Sequence, residues 1–152
     1  MYTFGRLEIN MKIVIINGPN LNLLGKREPE IYGSTTFESF LVEAKKQFPK
    51  IEFEYYFSNI EGELVNTIQK LGFDDCSIIL NAAAYTHTSV AIADAVAAVT
   101  APVIEVHISQ PAAREKERHT SLLSKYCLGT ISGLGLQSYT AAIEYFKHTN
   151  EK

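Results

Sequence analysis

Apolar residues gather in five short runs, separated by longer stretches in which they recur every three or four positions. The runs lie at about 12 to 16, 51 to 57, 77 to 81, 102 to 107 and 127 to 132, each the length of a strand. Between them the spacing predicts helices at about 36 to 48, 60 to 71, 88 to 99 and 137 to 148, and a short helical piece near 114 to 125. Strands and helices that alternate in this way imply parallel pairing through right-handed crossovers, because amphipathic helices can then cover both faces of one sheet.

The pattern defines an α/β class, a flavodoxin-like, doubly wound sheet of five parallel strands with helices on both faces. The first strand starts at Met11-Lys12-Ile13-Val14, so residues 1–10 read as an N-terminal extension of unknown role ahead of a single domain over 11–152. The 152 residues are 46% hydrophobic and 20% charged, enough for one compact core and unlike a disordered or fibrous chain. A net charge of -3 offers no basic field for nucleic acid, and no apolar stretch reaches the roughly 20 residues that span a bilayer. Cys76 and Cys127 sit in apolar, strand-like runs and the N-terminus lacks a secretory pattern, so a reducing cytoplasm and two core thiols are expected.

In a doubly wound sheet, ligands bind beyond the carboxyl ends of the strands. Three of those ends are polar here: Asn17-Gly18-Pro19-Asn20, then Asn81 leading into Ala82-Ala83-Ala84-Tyr85-Thr86-His87, then Glu105-Val106-His107-Ile108-Ser109. They deliver Asn20, Asn81, His87, His107 and Ser109 to one rim. The stretch from Asn17 to Gly33 follows the first strand, with Gly18, Gly25 and Gly33 permitting unusual backbone angles and Pro19 and Pro29 blocking helix. It places Arg27 five residues before Tyr32, and a cation held near a phenol can make that phenol a base. Lowering a phenol from about 10 to about 7 requires roughly 4 kcal/mol, which a charge pair about 4 Å apart at an effective dielectric of about 20 supplies only when a closed loop holds the cation close. Competing motifs fail on spacing: Gly18 to Gly25-Lys26 is not a phosphate loop, Gly133-Leu134-Gly135 is an incomplete dinucleotide fingerprint, and the histidines and cysteines lack zinc-site spacing.

The motifs N-G-P-N-L-N-x-L-G-x-R-E-P-x-x-Y-G, L-N-A-x-x-x-T-H-T-S and P-x-I-E-V-H-I-S, in this order and each at a strand end, resemble those of the type II 3-dehydroquinate dehydratases over residues 11 to 148. The resemblance implies a shikimate-pathway hydro-lyase that converts 3-dehydroquinate to 3-dehydroshikimate without metal, cofactor or Schiff base. It implies Tyr32 as the base with Arg27 and Arg114 as neighbouring cations, His107 as the general acid held by Glu105, and Asn20 as the group that stabilises the enolate. Asn81, His87, Ile108, Ser109, Arg114 and Arg118 match substrate-binding positions, and Asp94 matches one that reaches a neighbouring subunit's site. Trimers arranged as a dodecamer are the implied assembly. Two departures stand out: Glu117 replaces an aromatic between Arg114 and Arg118, and Ala93 precedes Asp94 where Arg-Asp is common.

Plainer readings of the same residues stand beside these. Tyr32 can be a loop tyrosine packed on the sheet edge, a reading that the Arg27 spacing and the glycine-proline loop outweigh; His107 and Glu105 can be a structural pair, and Asn20 and Asn81 partners of turn amides. His87 can simply open the third helix with Thr86 as its N-cap, and Arg114 to Arg118 can form a solvated helical face. The rival class is a non-catalytic module that binds a small hydroxy acid on the same rim.

Overall fold

The computed structural model describes residues 8–26, 29–32 and 34–151, and of residues 31 and 32 only the backbone. Five strands, β1 (Met11–Asn17), β2 (Ile51–Phe57), β3 (Ser77–Asn81), β4 (Val103–His107) and β5 (Gly129–Ser132), form one parallel sheet in the order β2-β1-β3-β4-β5. The helices are α1 (Pro29–Tyr32), α2 (Phe37–Gln47), α3 (Glu61–Leu71), α4 (Val90–Ala98) and α5 (Gln137–Asn150).

The expected doubly wound sheet is thus present, and the two faces of β1 explain it. Ile13 and Ile15 pack with α2 and α5 around Phe37, Phe40, Tyr139 and Phe146, whereas Val14 and Ile16 pack with α3 and α4 around Leu64, Ile68, Ile92 and Val96. Consecutive strand side chains point to opposite faces, so a strand buried on both sides must be apolar throughout. All four of these β1 residues are 0% exposed. Truncating one of the three isoleucines to Ala removes about 2–5 kcal/mol, a large part of a domain's stability. No helix among the described residues is long and apolar enough to cross a membrane.

Two local expectations are corrected. The stretch 114 to 125 is not a helix but a string of single 3-10 turns, Pro111–Ala113, Lys116–Arg118 and Ser124–Tyr126. It lacks an apolar stripe to bury, and its side chains bond the local backbone instead: His119 Nε2 meets the Arg114 carbonyl at 2.8 Å, and Ser121 Oγ accepts from Leu123 and Ser124. The helix anticipated from 88 is capped by Ser89, not Thr86; Ser89 Oγ accepts from the Ile92 amide at 2.9 Å. Thr86 is buried in the 3-10 turn Ala83–His87, and among the described residues its hydroxyl has no partner.

Candidate active site

The strand ends surround a cleft with about 100 Å³ of water-accessible space, lined by residues that include Asn20, Asn81, His87, His107, Ser109 and Arg118. The strand-end pattern places the first five of these on one rim, the family resemblance adds Arg118, and the structure brings all six together. Ile108 and Arg114 also line it. Asp94 is exposed on α4 and Glu105 is fully buried; neither lines the cleft. Arg27 and the side chain of Tyr32 lie outside the described residues, although the Tyr32 backbone ends α1.

The β1 corner is made by close backbone approach. Gly18 donates to the Asn81 carbonyl at 2.7 Å, and a Cβ on it would stand 2.6 Å from the Ala82 carbonyl oxygen. Glycine alone fits there. Asn20 follows in the left-handed region at φ 69°, where Asn is tolerated, and its amide donates to Asn59 Oδ1 at 2.9 Å. Ala83 lines the opposite wall at φ 51°, an uncommon conformation for a residue with a Cβ.

A buried phenol underpins both walls. Tyr139, on α5, donates to Asn17 Oδ1 at 2.8 Å and accepts from Asn81 Nδ2 at 2.8 Å, while Asn81 Oδ1 accepts from the Ala83 amide at 3.1 Å. Complete burial raises the Tyr139 pKa well above that of an ordinary phenol. This neutral tyrosine therefore holds Asn81 in place and is no base itself. The sequence marks it only as one more apolar-face position of a helix.

β4 supplies a buried carboxylate–imidazole pair. Glu105 and His107 project from the same side of the strand, and Glu105 Oε1 lies 2.7 Å from His107 Nε2. Ser121 Oγ donates to both carboxylate oxygens, at 2.8 and 3.0 Å, and Thr130 Oγ1 to Oε2 at 3.2 Å. Burial alone would raise the Glu105 carboxyl, but the hydrogen bond and charge of His107, with the Ser121 and Thr130 hydroxyls, outweigh it and hold the group below the usual carboxylate range. With Nε2 taken up by Glu105, Nδ1 is the His107 nitrogen left to meet a ligand. His87 stacks beside it, ring centroids 6.3 Å apart and 17° between planes. Its Nδ1 lies 2.8 Å from the Thr120 carbonyl, which can only accept, so that nitrogen carries the proton.

The segment after β4 supplies the charge. Arg114 Nη1 reaches Ser109 Oγ at 3.4 Å, and Arg118 Nε donates to Glu115 Oε1. Glu115 also lies 3.7 Å from Arg114, and these arginines hold its carboxyl below the ordinary value, Arg118 most strongly. Gln110 accepts from Ser132 Oγ at 2.8 Å and ties this segment to the end of β5. The carbonyls of Ile108 and Ser109 accept from Gly135 at 3.0 Å and Gly133 at 3.1 Å, which fixes the peptide planes at the cleft floor. Ser121, Thr130, Tyr139 and Asn59 are supporting residues that sequence reasoning missed. Each acts through a tertiary contact that no local pattern announces.

An α/β domain with a buried His-Glu pair at a strand end, beside two arginines, is arranged for acid-base chemistry on a small anion. Residues 11–147 match the family model described as Dehydroquinase class II. The chain is 47% identical over 146 residues to the 3-dehydroquinate dehydratase of an Exiguobacterium species, covering 93% of this chain and all of that protein. Its fold is similar to that of the type II dehydroquinase of Butyrivibrio crossotus, with a TM-score of 0.86 and 44% identity across 90% of this chain and 97% of the other. The enzyme of Propionibacterium acnes gives a TM-score of 0.87 at 38% identity, across 91% and 97%. The chain belongs to the class II dehydroquinases, a family of hydro-lyases.

Proposed function

We propose that the protein removes water from 3-dehydroquinate to give 3-dehydroshikimate, a step of the shikimate pathway, by anti elimination through an enolate. Tyr32, with Arg27 and Arg114 to favour its phenolate, takes the proton at carbon two, and His107 protonates the hydroxyl that leaves carbon one. Asn20 helps bind an ordered water and stabilises the enolate oxygen, a preorganised electrostatic role. Arg118 grips the substrate carboxylate, for which its planar fork is suited, while Asn81, His87, Ser109 and the peptide at Ile108 hold hydroxyls and carboxylate. The observation that carries this reading is the His107–Glu105 pair at 2.7 Å, buried behind a cleft lined by two arginines, in a chain of this family.

The pair suits the task because an anionic Glu105 favours the imidazolium, and an imidazolium is the form that can protonate a departing hydroxyl. Residues 11–152 are the catalytic domain in this reading, with residues 1–10 ahead of it. The protein acts in the cytoplasm and assembles as trimers, then as a dodecamer, in which Asp94 meets the neighbouring subunit's site. Its exposed position on α4 is compatible with that role.

Purified protein mixed with 3-dehydroquinate in metal-free buffer is expected to produce the ultraviolet absorbance of a conjugated enone, stoichiometric in substrate and insensitive to chelator and borohydride. Tyr32→Phe should abolish it while leaving the fold intact. Absence of the absorbance with folded wild-type protein refutes the activity, and turnover retained by Tyr32→Phe refutes the phenol as base.

A further inference from the structure

Ser121 belongs to none of the three motifs, yet its hydroxyl is committed at every position. Its oxygen accepts from the Leu123 amide at 3.1 Å and from the Ser124 amide at 3.0 Å. A hydroxyl has two lone pairs and one proton. With both lone pairs engaged, the proton is all that Ser121 has to offer Glu105, whose oxygens lie 2.8 and 3.0 Å away. The residues on either side of Ser121 are pinned as well: Leu122 donates to the Thr86 carbonyl at 2.9 Å, and the Thr120 carbonyl accepts from His87 at 2.8 Å.

This matters because a buried His-Glu pair can share its proton in two ways. Burial favours the neutral arrangement, in which the carboxyl keeps the proton and the imidazole nitrogen facing it is bare. A donor that cannot accept opposes that arrangement, since its bond is strongest to a full carboxylate. Thr130 adds a second hydroxyl at 3.2 Å on Oε2.

We propose that Ser121, seconded by Thr130, is a positioning residue that fixes Glu105 as an acceptor, so that His107 keeps a proton on Nε2 and exchanges protons with the substrate through Nδ1. The inference deepens the assignment of His107 as the acid and rests on it for the catalytic half of its test. The other titratable or charged groups around the pair are the stacked His87, the arginines 114 and 118 that line the cleft, and Cys127, whose thiol is pushed up to about 12 by burial and by the charge of Glu105. None of these can replace Ser121, because none donates a hydrogen bond to the Glu105 carboxylate among the described residues.

The test compares Ser121→Ala, Ser121→Thr and Thr130→Val with the wild type, following the His107 ring nitrogens by NMR across pH and the pH profile of kcat. In the wild type, the neutral ring is expected as the Nε2-protonated tautomer. In Ser121→Ala, the ring titration and the alkaline limb of kcat should both move down by about one pH unit, with the tautomer becoming mixed. Ser121→Thr should restore both, and Thr130→Val should shift both in the same direction by less. A folded Ser121→Ala protein with unchanged titration and tautomer overturns the proposal and leaves Ser121 a turn residue. If that variant does not fold, an unmoved ring titration in Thr130→Val overturns it instead. A ring titration that moves while kcat keeps its profile upholds the fixed acceptor and removes His107 from the acid role.

Discussion

The two halves of the cleft wall are built on opposite principles. At the end of β4, Glu105 is 0% exposed and each of its oxygens meets two donors, so the His107 ring is held by a network that has nowhere else to go. Beyond it, the arginines ride on a string of 3-10 turns, and Glu115, an exposed carboxylate, pairs with both of them. The first arrangement spends burial to fix a proton; the second keeps charge near solvent, where it can trade one carboxylate for another. The imidazole–carboxylate pair sits on the sheet, and the two arginines sit on irregular chain.

The contrast predicts unequal consequences. Its sharpest test is His107→Ala, which should lower kcat by about 10²- to 10⁴-fold, the range a positioned acid supplies, with much less change in KM. Steady-state kinetics that showed the reverse split would move His107 to the recognition half. Arg118→Ala comes next: loss of a fork that grips a carboxylate should raise KM by about ten- to a hundredfold while kcat falls less. An unchanged KM would mean that the anion is held elsewhere. The smallest effect belongs to Glu115→Gln, which frees Arg118 from an exposed partner whose pull water largely screens. Substrate titrations should therefore show KM falling by less than about fivefold, and a rise in KM would reveal Glu115 as a support rather than a competitor.

How much of this was legible in the sequence divides along the same line. The rim was readable because a doubly wound sheet exposes its strand ends on one edge, so polar residues directly after apolar runs, such as Asn81 and Ser109, had one place to go. Glu105 and His107 were readable as partners because strand side chains two apart share a face. The stretch 114 to 125 misled because its charges recur at helical spacing, while what decides its shape is the set of local bonds made by His119 and Ser121. Thr86 misled as a cap because Ser89, three residues on, sits where the ordered helix begins. Ser121 and Tyr139 were invisible for a different reason: their partners lie 16 residues away in Glu105 and 58 or 122 away in Asn81 and Asn17.

That last separation sets a schedule for the nascent chain. Every residue named at the rim, from Asn20 to Arg118, is synthesised before α5, and so are Asn17 and Asn81. Until Tyr139 emerges and docks, the two asparagines lack the phenol that joins them across the sheet, and Ala83 lacks the anchored carboxamide that helps hold its strained turn. The enzyme thus carries its chemistry early and its fastener late, so that competence waits for α5 to dock rather than accumulating along the way.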